Sequence, residues 1–158
     1  MLQHDWPLVR AIYEQGIASG HATFETNAPD WQQWDAAHCS NGRLLILQQN
    51  EIVGWAALSK ASQRQVYSGV AEVSIYIAAA ARGKGLGSQL LSALVNAAEA
   101  AGYWTLQSSI FPENKASVQM HLKNGFRIIG YRERVACMNG QWRNTVLLER
   151  RSTVNGIT

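Results

Sequence analysis

Apolar positions recur at helical spacing near the start of the chain, with Val9, Ile12, Tyr13 and Ile17 on one face. Asp5-Trp6-Pro7 precedes them as a helix start, Asp5 as N-cap and Pro7 in the first turn, where its missing N–H does no harm. Gly16 or Gly20 ends the run. Residues 21–30 predict a loop, and 31–38 a second, shorter helix. Between Arg43 and Ser59 the pattern changes to β-favouring runs broken by Gln49-Asn50-Glu51, which predicts two strands joined there. The run VAEVSIYI at 70–77 predicts a third strand. The clearest helix lies at 85–102, with Leu86, Leu90, Leu94 and Ala98 on one face and Gly102 as C-cap. A strand at 103–111 is stopped by Pro112, and a helix from Asn114 to Asn124 is ended by Gly125. Two last strands flank Asn139-Gly140, a strong hairpin signal.

This order of elements belongs to the α/β (α+β) class, built around one mixed sheet. In a chain of 158 residues without internal repeat or interior linker, it predicts a single domain over 1–151 and a flexible tail at 152–158. A content of 47% hydrophobic and 16% charged residues argues against disorder. The net charge of +3 comes from scattered Lys and Arg, so no nucleic-acid partner is expected. No apolar segment approaches the ~20 residues that cross a bilayer, and the N-terminus opens without a secretory apolar region. Neither a membrane nor a bound metal is therefore expected. Cys39 and Cys137 lack metal-ligand spacing and fit free thiols in a reducing cytoplasm.

Candidate chemistry concentrates in ARGKGLG at 81–87, which follows a predicted strand and opens a predicted helix. Unpaired N–H groups at a helix N-terminus attract anions, and glycine lets a phosphate approach that backbone. Arg82 and Lys84 add full charges, so the turn suits a pyrophosphate; the plainer alternative is a turn that needs positive φ angles. The Walker spacing is absent, and a dinucleotide fingerprint would need glycine where Ser88 stands. Glu72 is a carboxylate within an otherwise apolar strand, where alternation puts Val70, Glu72, Ser74 and Tyr76 on one face. It is either a general base or a solvent-facing partner in a surface ion pair.

The turn resembles the acetyl-CoA pyrophosphate loop of the GNAT superfamily of N-acetyltransferases, [QR]-x-x-G-x-[GA], which Arg82, Gly85 and Gly87 satisfy. A later family segment, Asn-x-x-[AS] followed by Gly-Phe, stands here as Asn114, Ser117, Gly125 and Phe126. Within the superfamily the chain is similar to the phosphinothricin and methionine sulfoximine acetyltransferase group. Ile12-Tyr13, the run from Ala22 to Thr26, Arg64-x-x-Tyr67-x-x-x-x-Glu72 and Gly140-x-Trp142 carry that similarity.

The resemblance implies the GNAT fold, a mixed and mostly antiparallel sheet flanked by helices. Its usual first strand is short or missing here, because only Met1 to His4 precede Asp5. It implies acetyl-CoA as co-substrate, with Arg82, Gly83, Lys84, Gly85, Leu86 and Gly87 at the diphosphate. The backbones of Ile75 and Ile77 would run along the pantetheine, with Asn114 and Ser117 nearby. Glu72 becomes the general base for a small-molecule amine, and His121 stands where many relatives carry a tyrosine that protonates the leaving thiolate. Arg64 and Tyr67 would hold an acceptor carboxylate, although the second basic residue usual two positions before that arginine is Ser62 here. Phe24 and Glu25 would close the pocket. A homodimer, with Trp142 and the last two strands supplying the contact, and detoxification of a glutamate analogue are further implications. A peptide N-terminus or polyamine as acceptor, or a non-catalytic CoA-binding module, are the alternatives; Glu72 speaks against the last.

Overall fold

The computed structural model describes residues 1–157; Thr158, the last position of the expected tail, lies outside the described residues. Helix α1 (Trp6–Ala18) follows a 3₁₀ turn at Gln3–Asp5, and no strand precedes it. Asp5 occupies the N-cap position, but its carboxylate accepts from the Leu2 N–H at 2.7 Å instead of capping the helix. Helix α2 (Trp31–Ala37) has a full capping box between Asp30 and Gln33. Strands β1 (Leu44–Gln48) and β2 (Glu51–Lys60) form a hairpin whose turn residues Gln49 and Asn50 both have positive φ, the geometry that matches strand twist.

Strand β3 (Val70–Ile77) leads through the glycine turn into helix α3 (Leu86–Ala100). That helix ends at Gly102, with Tyr103 N–H donating to the Ala98 carbonyl and Gly102 N–H to that of Glu99. Strand β4 (Thr105–Ile110), helix α4 (Lys115–Lys123) and the hairpin of β5 (Arg127–Met138) and β6 (Gln141–Arg151) complete the chain.

The six strands lie in the order β1-β2-β3-β4-β6-β5, antiparallel throughout except for β3 beside β4. Two cores cover its faces. On one, α3 buries Leu90, Leu91, Leu94 and Val95 against Ala56, Leu58, Val73 and Leu148. On the other, α1 and α2 pack Val9, Ile12, Tyr13 and Trp34 onto Trp55 and Ala57. Each large side chain so buried contributes roughly 1.5–3 kcal/mol. The edge strand β1 is short and bulged between Ile46 and Leu47, two features that blunt edge-to-edge pairing.

Two arrangements were outside the reach of local pattern. In β5 the register slips between Arg132 and Ala136, and Arg134 takes φ +48°, a bulge pinned by its N–H donating to Asn144 Oδ1 at 2.8 Å. The segment after Arg151, expected to be loose, makes several hydrogen bonds. Ser152 N–H donates to the Trp104 carbonyl, and the Asn155 amide donates to the carbonyls of Glu99 and Tyr103.

Candidate active site

Strands β3 and β4 stay paired only at Val70–Thr105, Ala71–Leu106 and Glu72–Gln107, then diverge. The closed end is fixed by the Gly69 carbonyl, which accepts from the N–H groups of Trp104 and Thr105. A side chain at Gly69 would meet the Trp104 ring at 2.0 Å, so only glycine permits that approach. Ala78 N–H donates to the Val53 carbonyl at 2.8 Å, and the register turns the backbones of Tyr76, Ser74 and Glu72 toward β2 as well. The N–H and C=O groups of Val73, Ile75 and Ile77 therefore point into the gap.

Two adjoining spaces fill the gap. The first, a cleft of about 730 Å³, lies between the glycine turn and α4. Gly83 and Gly85 both sit at φ +76°, and a Cβ on either would find open space. The first intrahelical bond of α3 is Gln89 N–H to the Gly85 carbonyl. That leaves the N–H groups of Leu86, Gly87 and Ser88, all lining the cleft, without helical partners. With the helix dipole and Arg82 beside them, these groups fit a diphosphate. Arg82 Nε also donates to the Ile77 carbonyl at 3.1 Å. Lys84 does not line the cleft; its ammonium lies 3.4 Å from Gln48 Oε1.

The second space is a cavity of about 450 Å³. Glu72 lines it from the point where the strands part, Phe24 from the loop between α1 and α2, and His121 from α4. Ile75, Tyr76, Asn114 and Ser117 line both spaces, so the cleft opens into the cavity beside them. His121 is 1% exposed, and its Nδ1 lies 2.8 Å from the Ser117 carbonyl. A carbonyl only accepts, so Nδ1 carries the proton and Nε2 is a bare lone pair, buried without a protein partner among the described residues. Burial holds the imidazole below its ordinary pKa, with the Ser117 bond opposing. The resting ring therefore presents Nε2 as a proton acceptor.

Tyr76 is raised well above the usual phenol range by burial and then by neighbouring Tyr13, and it keeps its proton. Asn114 uses both ends of its amide: Oδ1 caps α4 at Ser117 N–H, and Nδ2 donates to the His21 carbonyl. It shapes the junction of cleft and cavity more than it offers a free donor.

Of the expected acceptor residues, Phe24 lines the cavity and packs edge-on to Phe111 at 4.7 Å. Glu25 is exposed and lines neither space. Arg64, which caps a 3₁₀ turn (Gln65–Tyr67), and Tyr67 within it are exposed and also line neither; the guanidinium rests over the Tyr67 ring at 5.6 Å. Sequence reasoning missed Arg132, Thr145 and Arg143. Thr145, a hydroxyl inside the apolar run TVLL, left a faint signal; the other two left none. Arg143 lies over Phe111 at 4.1 Å and donates to the Gly20 carbonyl, clamping the loop that carries Phe24.

A mixed sheet that splays beside a glycine-rich helix start makes a cleft fit for a diphosphate, and the comparisons supply the class. Residues 7–126 match the acetyltransferase (GNAT) family, and the chain belongs to it. It is an N-acetyltransferase of that family, related to the phosphinothricin and methionine sulfoximine acetyltransferases. It is 30% identical to the phosphinothricin N-acetyltransferase of Alcaligenes faecalis, over 92% of this chain and 77% of that one. It is 29% identical to the L-methionine sulfoximine/L-methionine sulfone acetyltransferase of Pseudomonas paraeruginosa, over 92% and 88%. The crystal structure of a phosphinothricin acetyltransferase from Sinorhizobium meliloti in complex with acetyl-CoA superposes with a TM-score of 0.90 at 27% identity, covering 100% of this chain and 89% of that one. Among the described residues no cluster of metal-ligating side chains occurs, and no helix is long and apolar enough to cross a membrane.

Proposed function

We propose that the chain transfers the acetyl group of acetyl-CoA to the α-amine of a small amino-acid-like acceptor of the phosphinothricin or methionine sulfoximine type. The observation that carries this reading is the junction itself. A cleft suited to a diphosphate and a pantetheine arm opens, beside Ile75, into a separate cavity holding one carboxylate and one buried basic imidazole.

When bound, acetyl-CoA supplies an activated thioester carbonyl. The backbone N–H of Ile75, aimed into the gap, polarises that carbonyl. Glu72 takes a proton from the arriving ammonium, so that a neutral amine attacks. His121 Nε2 takes the second proton as the C–N bond forms and the C–S bond breaks. Held at a low pKa, the imidazolium then returns that proton to the departing thiolate, which restores the resting tautomer. The His121 of this scheme is base first and acid second. A homodimer built through exposed Tyr131 and Trp142 on the last hairpin, and a detoxifying role in the cytoplasm, belong to the same proposal.

The test is a screen of amine acceptors with acetyl-CoA, following free thiol. Methionine sulfoximine, methionine sulfone and phosphinothricin should release thiol faster than polyamines or peptides with free N-termini. Thiol release with polyamines or peptides alone would replace the proposed acceptor class, and none with any amine would leave only a CoA-binding module.

A further inference from the structure

The cavity contains a second polar feature that the transfer scheme does not use. Thr145 is 2% exposed and lines the cavity, and its hydroxyl is buried without a protein hydrogen-bond partner among the described residues. Arg132 is its directly opposite partner on β5, in the antiparallel register Arg132–Thr145. Side chains at opposed positions share a sheet face, and Arg132 lines the same cavity. Arg10, Arg43, Arg127, Arg143 and Arg150 are engaged in ion pairs; Arg132 is in none among the described residues. The β5 bulge begins directly after Arg132, and Val135 and Ala136 beyond it line the cavity too.

We infer that Arg132 and Thr145 form an oxyanion subsite that holds the acceptor, taking the part that sequence assigned to Arg64. A planar guanidinium grips a carboxylate or a related oxyanion through two parallel hydrogen bonds, and the buried hydroxyl donates a third. Glu72 lines the same cavity, so one space offers a negative group to an ammonium and a positive one to an oxyanion. That polarity complements a zwitterion and disfavours a polyamine, which would leave Arg132 facing a second cation. The buried hydroxyl strengthens the assignment, because such a group is costly unless a ligand or water satisfies it. The bound group is the α-carboxylate or the terminal oxygens of the side chain, which are anionic in a phosphinate and neutral acceptors in a sulfone or sulfoximine. This inference rests on the acceptor class proposed above.

The experiment measures kcat/KM by thiol release for the wild type, Arg132→Gln, Arg64→Gln, Thr145→Val and Thr145→Ser. Its acceptors are methionine sulfone, methionine, and the amine of methionine sulfone lacking the carboxylate. Arg132→Gln should lower kcat/KM for methionine sulfone about 10–100-fold, mostly through KM, and Thr145→Val about 3–10-fold, with Thr145→Ser restoring most of it. Acetyl-CoA affinity and melting temperature should barely move, because Arg132 is exposed and valine is isosteric with threonine. If the carboxylate occupies the subsite, the decarboxylated amine should show no Arg132 effect. If the terminal oxygens occupy it, methionine should show none. An equal effect on all three acceptors, or none on any, overturns the subsite, as does the same loss in Arg64→Gln in place of Arg132→Gln. A wild type that acetylates none of the amino acids overturns the acceptor class instead.

Discussion

Gly85→Val tests the cofactor cleft, and Gly102→Val supplies its internal control. Both glycines have positive φ, +76° and +89°, and neither would bring a Cβ within 4 Å of another atom. They sit at opposite ends of α3, separated by 15 helical residues or about 22 Å. The backbone strain of a non-glycine residue there costs about 1–3 kcal/mol in either variant, so both should melt at lower temperature than the wild type. What differs is the space each side chain enters. At Gly85 it fills the cleft where we place the diphosphate, against the N–H groups of α3; at Gly102 it enters solvent beyond the helix end. With acetyl-CoA at 100 times its Kd, a ligand that binds only the folded state adds about 2.7 kcal/mol of stability. At about 2–4 °C per kcal/mol for a domain of this size, the wild type and Gly102→Val should each gain about 5–11 °C. A hundredfold weaker Kd leaves about 0.4 kcal/mol, so Gly85→Val should gain about 1–2 °C at the same concentration. The assay is a thermal melt of each protein with and without acetyl-CoA. An equal gain in the two variants would refute the placement of the diphosphate at this turn.

Glu72→Gln should keep the acetyl-CoA melting shift and lower kcat about 10²–10⁴-fold, part of the loss returning at higher pH where more amine is already neutral. Steady-state turnover at neutral pH checks this, and an unchanged kcat would move the base elsewhere. Stability should fall as pH drops below about 6.5, the ordinary histidine value, because burial depresses His121 and His38 in the folded protein while the unfolded chain still takes up their protons. Urea midpoints at pH 7.5 and 5.5 measure the difference, and a midpoint that rises at pH 5.5 contradicts the burial of these rings as neutral species. Glu99, held low by its bond to Arg150, acts in a separate window: its contribution is lost only below about 4.5.

The elements were legible because the chain punctuates them chemically. Asn50, Gly102, Gly125 and Asn139-Gly140 all take the positive φ that their positions suggested. The glycine turn and Glu72 were legible because a helix start and an isolated strand carboxylate are local features. What stayed hidden was long-range or conformational. Arg64 is eight residues from Glu72 in sequence, yet the 3₁₀ turn carries it outside the cavity. Arg132 and Thr145 meet only through cross-strand register, which the hydrophobic pattern of one strand does not contain. The carbonyl partners that Arg151 and Asn155 find at Trp104, Glu99 and Tyr103, some fifty residues earlier, are equally absent from any local pattern. The position of His121 was readable, whereas its tautomer depends on the distance from Nδ1 to one carbonyl.

The final hairpin contributes Arg132, Val135, Ala136, Thr145 and Leu147 to the acceptor cavity and, among the described residues, nothing to the cofactor cleft. These five residues form one wall of the cavity from a single hairpin, while Phe24, Glu72 and His121 reach it from elements encoded earlier. Substitutions confined to this hairpin reshape that one wall of the proposed acceptor cavity and leave every residue lining the cleft as it is.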